Sequence, residues 1–139
     1  MRTIVLTALL ALIITATSAA APLKGAKYAG NFTDSPAAIT FKVSKNGKTV
    51  SGLRLSAAPN KCAMGGTTPK QSSRRASISK GRFTATVRFK AMDGAVFATA
   101  KVKGLFVGRR GARGTVTTKF EDAESAYCNA TLAFTAKAG

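Results

Sequence analysis

The chain of 139 residues contains no histidine, no tryptophan, two cysteines and only five acidic residues. Without histidine, a Ser-His or Cys-His catalytic dyad and every histidine-ligated metal site are excluded. Five carboxylates also leave few candidates for a general base. We therefore expect that the protein is not an enzyme and that it uses no cofactor and no metal ion.

The N-terminal residues have the pattern of an export signal. Arg2 supplies a positive start, residues 4–14 are nearly all apolar, and residues 15–20 are small. The apolar run is too short to serve as a stable membrane anchor, and the best cleavage point lies between Ala20 and Ala21. The sequence predicts a signal peptide over 1–20 and one domain over 21–139. The compartment is then secreted, cell-surface or periplasmic in type, with no transmembrane segment after processing.

The chain beyond residue 20 has little branched or aromatic apolar content. Leu, Ile, Val and Phe make up about 18% of it, and its formal net charge is +16, a composition close to that of disordered chains. Alternation argues against disorder, because in residues 82–90 every odd position is apolar and every even position is polar or basic. The same period of two recurs in 39–44, 116–120 and 128–134, where it places Cys128 on the inward face. Such alternation is typical of half-buried strands.

Two dipeptides predict two-residue hairpins, Asn46-Gly47 and Asp93-Gly94. The first sets Val43 opposite Val50 and requires a bulge near Gly52 to keep the following leucines inward. Lys80-Gly81 and residues 121–125 predict further turns. The second hairpin places large inward residues opposite small ones: Phe89 with Ala98, Val87 with Ala100, Ala85 with Val102, and Phe83 with Gly104.

These signals together predict an all-β domain of about eight antiparallel strands, arranged as a β-sandwich or a small up-and-down barrel. No helical periodicity follows the signal peptide. The expected strands lie near residues 26–32, 38–44, 48–56, 74–80, 82–90, 95–106, 114–120 and 126–135.

The two cysteines of an exported chain predict one disulfide, Cys62–Cys128. It would tether the long loop 57–75 and contribute about 4 kcal/mol in the chain-entropy model. The acidic run 121–124 lacks the alternating ligands and central glycine of a calcium loop, so we interpret it as a solvated turn.

The basic residues carry the strongest functional signal. We expect three basic regions to bind anions: the outward side of the second hairpin, a flexible glycine-arginine loop over 108–114 and the stretch 70–80 beside the long loop. Guanidinium groups bind phosphate, sulfate and carboxylate bidentately. Phe97 is expected opposite Lys90, within reach of a cation–π contact. The candidate residues are Arg82, Arg88, Lys90, Lys101 and Lys103, then Arg109, Arg110 and Arg113, then Arg74 and Arg75.

A net charge of +16 exceeds the magnitude of about 2–8 that solubility needs. We therefore predict a monomeric, non-enzymatic protein that binds an extracellular polyanion or anionic surface: a wall polymer, lipid headgroups, a sulfated glycan or nucleic acid without base-specific readout. Alternatives are a barrel for a small apolar ligand, a protein-binding module such as a protease inhibitor that uses the Cys62 loop, and a structural coat component.

Tyr28 to Phe32, the alternating strand to Val43, the Asn46-Gly47 hairpin and the paired cysteines resemble small secreted β-proteins of high-GC bacteria. This resemblance implies a fold rather than an activity. The start of the domain is also similar to that of avidin-like and lipocalin barrels, which have a comparable Gly-x-aromatic in the first strand. Those barrels line their pockets with tryptophan, which this chain lacks.

Overall fold

A computed structural model of the protein describes residues 19–62 and 68–139, which form nine β-strands and one 3₁₀-helix, Ala123–Cys128. The predicted all-β class is confirmed. The predicted signal peptide lies outside the described residues apart from Ala19 and Ala20. The strands are β1 (Lys27–Phe32), β2 (Ala38–Val43), β3 (Thr49–Leu55), β4 (Lys70–Ser73), β5 (Ala76–Ser77), β6 (Arg82–Lys90), β7 (Val96–Val107), β8 (Gly111–Phe120) and β9 (Ala130–Ala138).

All nine strands belong to one antiparallel sheet that curls into a half-barrel, in the order β4-β6-β7-β8-β9-β1-β2-β3-β5. The edge strands β4 and β5 are consecutive in the chain, so residues 70–77 cross from one edge of the sheet to the other. The Gln71 amide bridges this seam: its Nε2 donates to the Leu55 carbonyl and its Oε1 accepts from the Leu55 N–H, both at 2.8 Å. The architecture is thus a single barrel-like sheet rather than two packed sheets.

The predicted registers are confirmed where inward packing sets them. Val43 pairs with Val50, and between Thr40 and Lys42 the register shifts by one residue, at the level of Gly52 with its positive φ of 60°. In β6 and β7 the four predicted pairs from Phe89–Ala98 to Phe83–Gly104 all form. Size complementarity across the sheet therefore fixes the register, as expected for a sheet with one buried face.

The turn types differ from those predicted. Asn46 does not take a positive φ; instead Ser44 and Asn46 side chains accept from the Lys48 N–H, which closes a four-residue loop in the predicted register. The Asp93-Gly94 turn is also longer, since the Ala91 N–H donates to the Ala95 carbonyl at 2.8 Å. The tight two-residue turn is Lys80-Gly81, where both residues have positive φ.

Three predicted strand boundaries are wrong for physical reasons. Of the strand expected over 74–80 only residues 76–77 form a strand, β5, because the chain crosses from β4 to the other sheet edge at residues 74–75. The loop expected over 108–114 ends at Gly111, where β8 begins. The last strand starts at Ala130, so Cys128 ends the 3₁₀-helix instead of lying on the strand, although it is buried as predicted.

The inward face forms one core that is rich in aromatic rings. Tyr28, Phe41, Phe83 and Phe106 contact one another with ring centroids 5.1–6.3 Å apart. The Cys62–Cys128 disulfide is present as predicted and ties the 56–69 connection to the 3₁₀-helix. In the two described ranges, no helix is long and apolar enough to cross a membrane.

Candidate anion-binding surface

Strand alternation places six cations on the outer surface of three neighbouring strands, β6, β7 and β8. Inward positions of these strands are buried, and the six intervening basic side chains are exposed. None of the nine strands contains an acidic residue. These cations therefore have no carboxylate beside them in the sheet. We call this surface the basic face: Arg82, Arg88, Lys101, Lys103, Arg113 and Lys119.

A shallow groove of about 620 Å³ crosses the basic face near one end of the half-barrel. Leu105, half-buried, pairs with Arg82 on one side and Arg113 on the other. The two arginines are therefore two strand spacings apart, about 10 Å, and Lys103 flanks them two residues along β7. The groove joins an apolar floor to three cations, which suits an anionic group carried on a carbon skeleton.

A second depression of about 420 Å³ lies at the seam, bounded by Arg74, Arg75 and Arg88. Pairing of β4 with β6 ends at Ser73–Val87. The Ser79 N–H donates to the Arg82 carbonyl at 2.9 Å, and the Arg82 N–H donates to the Ser79 carbonyl at 3.0 Å. Successive backbone N–H groups of a strand point to opposite edges, so those of Thr84 and Thr86 point to the same side as that of Arg82, toward the seam. No backbone bond joins these two threonines to residues 74–78. Guanidinium groups and main-chain donors thus border the same cleft.

Six of the ten predicted site residues therefore fall into these two depressions. Lys101 lies between them and pairs with Thr86 and Thr117. Lys90 ends β6 opposite Lys70. Arg109 and Arg110 lie apart from the groove, in the β7–β8 turn. The prediction for Arg113 needs correction, because it is in β8 and not in a flexible loop.

The predicted contact between Phe97 and Lys90 does not form. The register shifts by one residue at this point, so that Lys90 pairs with Val96 and Phe97 is the extra residue of a bulge. The Phe97 ring instead packs against Phe89, with centroids 6.2 Å apart. The loop extension at Asp93-Gly94 causes this shift.

The candidate residues predicted from the sequence left out one member of the basic face and four exposed lysines in turns. Lys119 could have been found, since it continues the alternation that was recognised in 116–120. The lysines in turns, Lys24, Lys45, Lys48 and Lys80, come together only through the strand directions. Local patterns mark the turns at Asn46-Gly47 and Lys80-Gly81, but no local pattern shows that these lysines share one end of the half-barrel.

Neither an interior ligand cavity nor a metal site gains support from the described residues. The aromatic rings of the core pack against one another. Asp122 caps the 3₁₀-helix by accepting from the Glu124 N–H at 3.0 Å. Within 19–62 and 68–139, no three His, Cys, Asp or Glu residues are grouped so that they could hold a metal ion.

Comparison with known proteins gives the chain no relative: no family model, no curated protein and no solved structure matches it.

Proposed function

We propose that the protein is a secreted, non-enzymatic binder of linear extracellular polyanions, which it holds along the basic face. The observation that carries this proposal is the separation of charge: six cations share the outer side of three adjacent strands, and no strand contributes a carboxylate. In a neutral surface sheet, cross-strand ion pairs would offset such charges. Here the cations remain available for a partner.

The mechanism is multivalent charge pairing. The outer side of a curled sheet is convex, so a flexible chain follows it from the seam cleft to the groove around Leu105. Arginines at both depressions bind oxyanions bidentately, and the lysines between them act as point charges. No large aromatic side chain is exposed on the basic face, so stacking of nucleic-acid bases plays no part.

The test measures binding to heparin as a function of salt concentration. We expect the affinity to fall steeply as the salt concentration rises. In a plot of log affinity against log salt concentration, we expect the slope to become less steep by about two to three in the triple variant Arg82→Gln, Lys103→Gln, Arg113→Gln. The matched control removes three exposed cations from the opposite side of the half-barrel. It carries Lys27→Gln, Lys42→Gln and Arg54→Gln.

Three results bear on the proposal. A slope change confined to the first variant supports a binding face. An equal change in both variants would mean that only net charge matters, and salt-independent binding would contradict charge pairing altogether.

A further inference from the structure

One end of the half-barrel carries a ring of cations that adjoins the groove of the basic face but shares no residue with it. The β2–β3, β5–β6 and β7–β8 turns all lie at this end, because their strands alternate in direction. Residues 19–26 lead into β1 beside them. We call the exposed cations at this end the basic rim: Lys24, Lys45, Lys48, Lys80, Arg109 and Arg110.

Close contacts join these segments into one surface. The Lys24 side chain lies over Gly47, and the Gly25 N–H donates to the Ser44 carbonyl at 3.0 Å. The Ile78 N–H donates to the Lys48 carbonyl at 2.8 Å, which fixes the Lys80 turn beside the β2–β3 turn. Arg110 is fixed in the same way, since its carbonyl accepts from the Ala138 N–H at 2.8 Å.

All five carboxylates lie at the other end. Asp34 is in the β1–β2 connection, Asp93 is in the β6–β7 turn, and Glu121, Asp122 and Glu124 follow β8. These three connections join the strand ends that point away from the basic rim. Charge is therefore distributed unevenly along the half-barrel axis, and an anionic surface attracts the rim more strongly than the opposite end, which we call the acidic end.

We propose that the basic rim docks on the headgroups of an anionic lipid bilayer, so that the protein stands end-on. The choice of a bilayer rests on charge complementarity, because six exposed cations gather at one end of the half-barrel and all five carboxylates lie at the other. The Ala20 N–H donates to the Phe106 carbonyl at 2.8 Å, next to Gly81 in the Lys80 turn. Residues 19 and 20 therefore adjoin the basic rim, so the chain enters the domain at the end that carries these cations.

The docking is electrostatic and does not require insertion. In the described part of the chain, the two large hydrophobic side chains that are most exposed are Met92 and Tyr127, and both lie at the acidic end. The rim offers cations without an apolar anchor, and such surfaces bind anionic leaflets reversibly. This inference does not depend on the proposed binding of a polyanion by the basic face.

The experiment uses protein recovered after export of the full chain, and vesicles of phosphatidylcholine with or without phosphatidylserine. Binding is measured by co-sedimentation at low salt. Each rim lysine contributes about fivefold near an anionic surface, so we expect Lys45→Gln, Lys48→Gln to weaken binding to the phosphatidylserine vesicles by roughly 25-fold. The matched control, Lys61→Gln, Lys70→Gln, removes the same charge at the acidic end, and we expect it to lose less than threefold.

Heparin binding of the same two variants separates this inference from the proposed function. A loss on vesicles with unchanged heparin binding supports docking by the rim. Equal losses for both variants on vesicles, or equal binding to vesicles without phosphatidylserine, would overturn it. Absence of heparin binding in the unmodified protein would contradict only the polyanion proposal.

Discussion

Replacing Gly104 by alanine tests a crowded contact in the core of the half-barrel. A Cβ at this position would meet the Phe83 ring directly, with Cδ1 only 2.9 Å away. That ring cannot move aside, because it packs against Phe41 and Phe106 with centroids 5.3 and 5.6 Å apart. The added methyl group must therefore displace the aromatic core or separate β6 from β7.

The size of the effect follows from two opposing contributions. Overpacking of a dense core costs about 1–3 kcal/mol. Alanine is intrinsically better than glycine within a strand by roughly 0.5–1 kcal/mol. The net expectation is a loss of about 1–2 kcal/mol, or roughly 4–8 °C in Tm for a domain of this size.

Urea denaturation followed by circular dichroism measures this loss, and a double-mutant cycle identifies its cause. Phe83→Leu replaces the ring that the new methyl group meets by a smaller side chain. We therefore expect Gly104→Ala to lower the free energy of unfolding much less in that background. A coupling of at least about 1 kcal/mol between the two sites is the expected result. An alanine variant as stable as the original protein, or additive effects of the two substitutions, would refute the packing argument.

Three further predictions concern stability. Replacing both Cys62 and Cys128 by serine should lower the free energy of unfolding by about 4 kcal/mol, because the disulfide closes a long loop of 66 residues. Chemical denaturation of the original protein and the variant measures this difference, and an unchanged denaturation midpoint would contradict it. Lys80→Asn should raise stability by roughly 1 kcal/mol, since Lys80 is the only described non-glycine residue with positive φ, at 52°; a lower Tm in a thermal scan would count against this. Gln71→Ala should open the seam and lower the free energy of unfolding by about 1–2 kcal/mol, because two hydrogen bonds to Leu55 are lost. Hydrogen exchange measures this as faster exchange of the Leu55 amide with unchanged exchange in β7. Unchanged exchange at Leu55 would mean that the seam does not depend on the Gln71 amide.

The β6–β7 hairpin could be predicted nearly to the residue because its information is local. Alternation marks the inward residues, and only one register places Phe83 against Gly104. The same reasoning located the bulge at Gly52, since an extra residue was needed to return Leu53 to the core. Where burial of one face decides the structure, the sequence pattern is sufficient.

The seam could not be predicted because it depends on contacts between distant segments. Residues 70–73 contain no apolar side chain, so no alternation marks β4 as a strand. β4 forms because β6 has a free edge with which it pairs, and because the side-chain amide of Gln71 makes hydrogen bonds to the Leu55 backbone. The cleft at Arg74 and Arg75 follows from the same crossing, and the basic rim follows from strand direction. Both surfaces therefore became visible only in the folded chain.

Salt should act in opposite directions on stability and on binding. With a net charge of +16 beyond residue 20 and no carboxylate in any strand, the folded state concentrates like charges on its outer surface. Added salt screens this repulsion and therefore raises the free energy of unfolding. A bound polyanion also raises it, by RT ln(1 + [L]/Kd). The same salt weakens attraction to the polyanion. A protein whose charge served only for solubility would show the first effect without the second, so the two salt dependences measured together separate a binding surface from a merely basic one.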